Sequence, residues 1–595
     1  MPAWLSLVAL LPLCGGSDTP APRREVVVVT GTYEPVPLEE ADRAVRAIAL
    51  DAQMRLLTAS VADFLRLDAS LDLRARAPNG VQGDLSIRGA GFGQTLVLVD
   101  GMRLNDAQSG HHNLDIPFPP EALERVEVLK GSGSAYYGSD AVGGVVNLIT
   151  RVPEEAELRL RVGAGSFGGN QQSGTAGVVW GALSQQFSFA RDFSSGFTAD
   201  RDYRNLSLAS ATRLRSRLGN TSVLLAGTDR PFGADQFYGD FNSWERTRTW
   251  FGSVRQSFGE HTEAAFAYRR HTDLFVLYRD RPEVFTNRHA TDSEQAALRR
   301  RETPGRNVVV SYGGEWYQDA IRSTNLGDHA RQRGAVYAAL DARAVRRFSF
   351  SAAAREEFYG GLRQFSPTAA AGLWASRHLK LRAAASHAFR VPSYTELYYQ
   401  DPANLGSPDL RPERAWSYEA GADWYAGGGR IHGEFTVFER RERDGIDYIR
   451  RSPLDIWRAA NFNRLDFTGL EGAFTVKAGR GQLVELGYTG LRGAQEAAAS
   501  VYSKYVFNYP THDGTVAWKG TLGGVVVRTR AGVVARRARS PYAVWDAAAA
   551  WTRWRVRPYL QWSNLTGTSY QEILGVLMPG RAVMGGMELV VLGPR

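Results

Sequence analysis

Residues 84–108 read DLSIRGAGFGQTLVLVDGMRLNDAQ, and residues 116–150 read IPFPPEALERVEVLKGSGSAYYGSDAVGGVVNLIT. Two apolar runs, Leu96-Val97-Leu98-Val99 and Met102-Arg103-Leu104, flank Asp100-Gly101, a strong signal for a two-residue hairpin turn. Arg125 to Lys130 alternates apolar and charged residues as a strand does, and Val145 to Thr150 closes the unit. Between them Gly131 to Gly138 turns the chain. Upstream, Val61-Ala62-Asp63-Phe64-Leu65 has helical spacing, with Ser60 placed to cap it. Residues 40–152 thus predict a small α+β domain with too little helix for an α/β enzyme.

The glycines do not describe a nucleotide site. Gly131–Gly138 reads GSGSAYYG, with tyrosine where a dinucleotide fingerprint needs its third glycine, and strand signals follow it. RGAGFGQ lacks the Lys-Ser/Thr of a phosphate loop. Tight turns that let strands pack in a confined space account for them better.

From residue 157 to 595 the pattern changes. Leu158, Leu160, Val162 and Ala164 alternate with Arg159, Arg161 and Gly163. Phe187 and Phe189 alternate with Gln186 and Ser188, and Phe348 and Phe350 with Arg347, Ser349 and Ser351; the period of two persists to Tyr559, Leu560 and Trp562. A soluble sandwich shows the same alternation, so length decides. About 440 residues divided into strands of about 10, with turns and long loops, suit roughly 22 antiparallel strands of a transmembrane β-barrel large enough to enclose the first domain.

Composition agrees. After the N-terminus no run of about 18 apolar residues offers a membrane-spanning helix. The mean hydropathy of −0.29 fits a barrel whose lumen and loops dilute its lipid face. The single cysteine, Cys14, excludes a disulfide framework. The net charge of +9 is dispersed, and short runs such as Arg299–Arg301 read as solvated loop charge, so no nucleic acid is expected. Cationic rims facing anionic outer-leaflet lipid are the better use. Carboxylates and serines are plentiful but form no nucleophile or acid–base motif, so no enzyme activity is expected.

Residues 1–24 read as a signal segment and linker. Trp4 to Leu13 is a short apolar run, and Leu11 but not Leu13 suits acylation of Cys14. Glu25-Val26-Val27-Val28-Val29-Thr30-Gly31 follows, with Pro35 and Pro37 behind it. It is either the domain's first strand or a strand offered to a partner's sheet edge, and the prolines favour the second reading.

Two stretches concentrate aromatic residues: Asp229–Trp250, with Phe237, Tyr238 and Trp244, and Tyr268–His289, with Tyr278. As loops they would grip a large, partly apolar ligand. His111-His112-Asn113, between two strands of the first domain, adds groups that hydrogen-bond a ligand or coordinate a metal centre. No His/Asp/Glu cluster has the spacing of a structural metal site.

LSIRGAG, TLVLVDGMRLND and ERVEVLKGSGSAYYGSDAVGGVVNLIT, then AFRVPSYTELYYQDPANLGSPDLRPERAWSYEAG (388–421) and NLTGTSY (564–570), resemble the TonB-dependent outer-membrane receptors, in order along nearly the whole chain. The resemblance implies a 22-stranded barrel (157–595) closed by an N-terminal plug (40–152), acting as a monomer that imports a scarce nutrient. Residues 25–31 then look like the TonB box, gripped by TonB of the TonB–ExbB–ExbD complex, which pulls the plug open. No extra domain of about 80 residues separates the signal segment from this box, so a signal-transducing receptor is not expected. In the family, basic plug residues pair with barrel glutamates; Arg88 and Lys130 match the former, Glu419 and Glu471 the latter. The family usually carries arginine where Lys130 stands, so that pair is expected to be weaker. The barrel-assembly machinery commonly reads a terminal aromatic, whereas here the last strand ends Val591-Leu592-Gly593-Pro594-Arg595.

The YGSDAVGGVVNLIT stretch looks most like the vitamin B12 transporter subgroup. Cobalamin or another corrinoid is therefore the first expected cargo, and a ferric siderophore, haem or other metal chelate the second. A passive porin or structural barrel would lack the plug motifs. No resident cofactor is expected, with calcium in the outer loops left open.

Overall fold

The computed structural model describes residues 27–28, 30, 36–345, 347–462, 464–479, 481–495, 502–537 and 539–593. The signal segment with Cys14, the Glu25, Val26, Val29 and Gly31 positions of the candidate TonB box, and Pro594-Arg595 lie outside the described residues.

The second part of the chain is a closed barrel of 22 antiparallel strands, from Glu157–Gly165 to Ala582–Leu592. These two strands close it, with Leu160 opposite Leu589 and Val162 opposite Met587. Alternation is read out as two faces. Phe187 and Phe189 are 55% and 39% exposed on the outside, while Gln186 and Ser188 between them are 2% and 4% exposed on the inside. This inverts a soluble protein, as expected where lipid covers the outer wall and polar groups fill the lumen. No described helix is long and apolar enough to cross a membrane; the strands provide the crossing.

Several strands are longer than the roughly 9–11 residues a bilayer requires. Thr286–Gly305 has 20 residues and Gly219–Asp235 has 17. Consequently the two aromatic stretches expected as loops are mostly wall. Gly219–Asp235 and Asn242–Phe258 leave only residues 236–241 between them, and Thr262–Val276 and Thr286–Gly305 leave only 277–285. Beyond the membrane both faces of a strand meet water, so its composition reads as loop although its ladder continues.

The first part is a plug within the lumen. Its five-stranded sheet runs Val45–Ala49, Leu123–Lys130, Gly144–Thr150, Thr95–Val99, Met102–Arg103, with Thr95–Val99 parallel to Gly144–Thr150. Leu71–Ala75 and Gly83–Ile87 form a separate pair. The hairpin at Asp100-Gly101 is formed, with Val99 opposite Met102 and φ of 49° and 83° at the two turn residues. Its aspartate also accepts bonds from the Thr150 amide and hydroxyl, at 2.9 and 2.6 Å, tying the turn to the neighbouring strand. The helix Val61–Leu65 starts after Ser60, whose amide donates to the Asp63 carboxylate at 3.0 Å. Within Gly131–Gly138 the chain does more than turn: Ser134–Tyr137 is one helical turn. Phe64, Leu65, Ile87, Val97, Val126 and Val146 form the dry centre.

Val27–Val28 pairs antiparallel with Val36–Pro37, so this part of the candidate TonB box is a strand on its own chain. Just beyond, Thr30 is pinned down: its amide and hydroxyl donate to Glu127 Oε2 at 2.9 and 2.7 Å, and Asn147 Nδ2 donates to its Oγ1 at 3.1 Å.

Buried ion pairs join plug and wall. Arg88 reaches Glu471 through Nε and Nη2 at 3.0 and 2.8 Å and Glu419 through Nη1 at 2.7 Å. Arg43 Nε adds a second hold on Glu419 at 3.3 Å. Lys130 takes other partners than the two glutamates matched by the family pattern: plug Asp68 at 3.3 Å and barrel Glu434 at 3.9 Å. Arg88, with its three-nitrogen fork, has occupied both glutamates, and a point-like ammonium settles on the nearest remaining carboxylates.

Candidate substrate cavity

The plug surface and the long ends of the barrel strands enclose a cavity of about 1400 Å³. Its floor is set by the 3₁₀ turn Gly110–His112, which starts at Ser109; the Ser109 hydroxyl accepts the His111 amide at 3.3 Å. Glycine is required at position 110. A Cβ there would lie 2.8 Å from the Phe92 ring and 2.9 Å from Gly93 Cα, so any side chain would lift the turn off the floor.

His111 stacks on Phe92 with ring centroids 4.2 Å apart, and Tyr505 meets both edge-on at 5.3 and 5.7 Å. The His111 Nδ1 lies 2.7 Å from Asp84, yet burial outweighs that carboxylate and lowers the imidazole's pKa, favouring the neutral ring. Asp84 itself, despite burial, is held well below the usual carboxylate range by Arg76 and His111. His112 behaves oppositely. Burial alone would lower its pKa, but the carboxylates of Asp115 at 3.4 Å and Asp273 at 3.6 Å outweigh burial and raise it well above that of a free imidazole.

Beside the floor, a small sheet separate from the barrel combines Asn404–Leu405, Trp457–Phe462, Gly445–Arg450 and Tyr502–Ser503. Asp447 organises it, accepting from the Ser503 hydroxyl and from the amides of Tyr505 and Val506. Lys504 is thereby placed 5.6, 5.3 and 5.9 Å from the rings of Tyr448, Tyr505 and Trp457. Arg390 braces the side of the cavity, gripping Glu396 at 2.9 and 2.8 Å and pairing with Glu413. Aromatic faces with a few fixed polar groups suit a bulky, partly apolar ligand.

Of the residues expected here, His111, His112, Phe237, Tyr238 and Tyr278 line the cavity. Phe237 does so only in part, since its ring packs against Phe232 at 6.0 Å. Tyr238 donates its hydroxyl to Glu245 at 2.5 Å, and Tyr278 meets Phe241 edge-on. Asn113 and Trp244 do not line it. Asn113 is buried below the floor, where its Oδ1 accepts the Asp106 amide at 3.0 Å and its Nδ2 donates to the Phe92 carbonyl. Trp244 alternates with the buried, inward-facing Ser243 and Glu245 along Asn242–Phe258, which turns it to the opposite face. His289, at the end of the Tyr268–His289 stretch, lines it as well, and Glu245, Asp273, Tyr448, Lys504 and Tyr505 join the lining without having been singled out. Asp273 and His271 are two apart, and so share a face, which is the sole local hint; their meeting with His112 depends on register and plug position.

The sequence matches the family model described as TonB dependent receptor-like, beta-barrel over residues 150–567, and that of the TonB-dependent Receptor Plug Domain over residues 37–145. It is 25% identical over 446 residues to the vitamin B12 transporter BtuB of Photobacterium profundum, covering 70% of each chain. To the BtuB of one Vibrio vulnificus strain it is 24% identical over 487 residues, 75% of this chain and 74% of that one. The siderophore receptor PirA from Acinetobacter baumannii superposes with a TM-score of 0.75 at 14% identity, covering 92% of this chain and 98% of that chain. The Serratia marcescens hemophore receptor HasR, solved with its hemophore HasA and heme, gives 0.76 at 17% identity over 92% and 99%. At these identities the two structures establish a shared fold.

Proposed function

The chain belongs to the TonB-dependent receptors of the outer membrane, and on that premise we propose that it imports a corrinoid, cobalamin first among them. The coverage of 70% or more by relatives named vitamin B12 transporters is the observation that carries this choice of cargo. The cavity supports it. Its volume of about 1400 Å³ exceeds the roughly 300–1,000 Å³ of ordinary small-ligand sites, as a ligand of corrinoid bulk requires. The stacked Phe92–His111 floor and the Tyr448–Tyr505 wall offer flat apolar faces to a macrocycle.

Binding outside is then coupled to energy inside. Residues 25–30 serve as the TonB box: TonB captures Val27–Val28 by strand addition in place of Val36–Pro37 and draws on Thr30, which is moored to Glu127 in the plug sheet. Arg88 with Glu419 and Glu471 keeps the rest of the plug in register against that pull. A ferric siderophore or other metal chelate is the second reading, favoured by the cationic Lys504, Arg76 and Arg390 around the cavity. Equilibrium binding of cyanocobalamin to the detergent-purified protein, with ferric siderophores and haem as competitors, separates the two. Tight, saturable cobalamin binding supports the corrinoid; none, by a folded barrel that takes a competitor, moves the cargo to that competitor.

A further inference from the structure

At one edge of the cavity floor the plug turn meets three adjacent barrel strands, Asn242–Phe258, Thr262–Val276 and Thr286–Gly305. Register brings their inward residues together: Thr247 stands opposite Asp273, and Asp273 opposite His289. Glu245 is two residues from Thr247 and so shares its face. From the plug, His112 Nε2 comes within 3.6 Å of Asp273 Oδ2. One donor atom each from His112, Glu245 and Asp273 lies within 4.8 Å of the others, and all three line the cavity. We propose that this cluster is a binding site for a divalent first-row transition-metal ion of the zinc, cobalt and nickel class, open to the external cavity.

Three observations carry the assignment. The first is unspent donor capacity. Asp273 Oδ1 and Gln108 Oε1 are buried without a hydrogen-bond partner, and both residues line the cavity here. A native polar network satisfies such atoms, and an ion would. Gln108 already donates from Nε2 to Asp273 Oδ2 at 3.0 Å, so its carbonyl oxygen is held beside the donor set.

The second is charge. Asp106, Asp115, Glu245 and Asp273 gather around His112, His271 and His289, and the guanidinium groups that reach them are Arg269 on Asp106 at 2.5 Å and Arg230 on Asp115 at 3.3 Å. Four carboxylates against two guanidinium groups make a donor-rich surrounding for a cation.

The third is the support behind the histidine. Asp115 lies 3.4 Å from His112 Nδ1, on the far side of the ring from Asp273, and is itself held by His271 Nε2 at 2.9 Å. Nδ1 makes no hydrogen bond as the ring stands, and a small rotation toward Asp115 would give the carboxylate–imidazole pairing that orients metal-binding histidines. Glu245 is likewise oriented, by the Tyr238 hydroxyl at 2.5 Å and Gln82 Nε2 at 3.3 Å. At metal–ligand distances of about 2.0–2.2 Å, tetrahedral donors stand roughly 3.3–3.6 Å apart. His112 and Asp273 are already at that spacing, and Glu245, within 4.8 Å of both, would close on the ion.

The other two groupings of such donors among the described residues lack these features. In His112, Asp115 and His271 both nitrogens of the fully buried His271 already face carboxylates, Asp106 at 3.0 Å and Asp115 at 2.9 Å. In Asp423, His432 and Glu434 the charge is already met, by Arg382 at 3.0 Å and Lys130 at 3.9 Å, and His432 stacks on Tyr425.

The test uses the full-length, detergent-purified, chelator-stripped protein, titrated with Co²⁺ alone and read by visible d–d absorption and calorimetry. One saturable Co²⁺ per chain is expected, displaced by Zn²⁺. His112→Ala and Asp273→Asn should each weaken binding at least about tenfold. Glu245→Gln, nearly isosteric, should do the same in a barrel that still migrates as folded on an unheated gel, while His432→Ala binds as the parent does. No saturable Co²⁺ or Zn²⁺ binding overturns the site, as does undiminished binding in both Asp273→Asn and Glu245→Gln, or loss of binding in His432→Ala. Cobalamin binding is measured separately, so the metal site and the corrinoid reading fail independently.

Discussion

Arg88 of the plug grips Glu471 of the barrel wall with two parallel hydrogen bonds, Nε to Oε1 at 3.0 Å and Nη2 to Oε2 at 2.8 Å, while its own backbone sits at φ +52°. A non-glycine residue in that region carries strain, and it persists only where surroundings hold it. Here they do. The guanidinium also takes Glu419 and lies 4.4 Å from the Phe438 ring centre, and Arg440 donates to the Arg88 carbonyl at 2.9 Å. One plug residue therefore meets Glu419, Phe438, Arg440 and Glu471 on neighbouring strands, which fixes both its rotation and its depth.

Removing that fork leaves Glu419 and Glu471 buried with less compensation. Arg88→Ala should destabilise the seated plug by about 3–5 kcal/mol, and Arg88→Lys, which keeps charge but loses the paired bonds, by about 1.5–3 kcal/mol. Limited proteolysis in detergent checks this: the plug of both variants should be cut faster, Ala more than Lys, with the barrel core intact. Equal cutting of parent and Arg88→Ala would remove Arg88 from the anchoring role.

Val28→Pro tests the pulling segment. Proline has no amide donor, so it weakens any strand that TonB adds at this position. External binding of the cargo should equal that of the parent, and uptake by whole cells should fall to background. Undiminished uptake by a well-expressed variant would place the TonB contact elsewhere.

What the sequence discloses follows the range of the interactions. The Asp100-Gly101 hairpin is a local matter, since two neighbouring residues accept positive φ, and it is readable. So is the wall, because Phe187 and Phe189 face lipid by virtue of their own spacing. Lys130 is not: its partner Glu434 lies on a barrel strand far along the chain, and no local pattern distinguishes it from Glu471. Trp244 misleads for a related reason. Aromatic composition suggests a ligand loop, but one continued ladder turns the side chain outward and its neighbour Glu245 inward. The cluster of His112, Glu245 and Asp273 combines both difficulties, strand register and plug placement.

The floor and the outer wall should respond differently to truncation. His111→Ala removes a ring that stacks on Phe92 at 4.2 Å inside the cavity, whereas Trp244 lies on the other face. Stacking of this kind contributes about 0.5–1.5 kcal/mol beyond area. His111→Ala should therefore weaken cargo binding severalfold or more, and Trp244→Ala should leave it within twofold, by equilibrium binding in detergent. The reverse order would mean that the ligand sits outside the cavity described.

Asp68 should contribute to the acid sensitivity of the plug. Burial would raise its pKa, but Lys130 at 3.3 Å, Arg46 at 3.9 Å and two bonds from Ser70 outweigh burial and hold the carboxyl well below the usual range. A folded pKa below the unfolded one contributes stability that is complete above about pH 3.9 and is lost as pH falls toward the folded value. Asp68→Asn forfeits that contribution at every pH. Its plug should therefore be more easily opened than the parent's at pH 7, and the difference should shrink as the pH drops below about 4. Amide hydrogen exchange of Val45–Ala49 and Leu123–Lys130, followed from about pH 7 to about pH 3 with intrinsic rates corrected, reads this directly. A gap that stays constant across that range would mean Asp68 acts by packing and not by its charge, and that Lys130 is steadied by Glu434 instead.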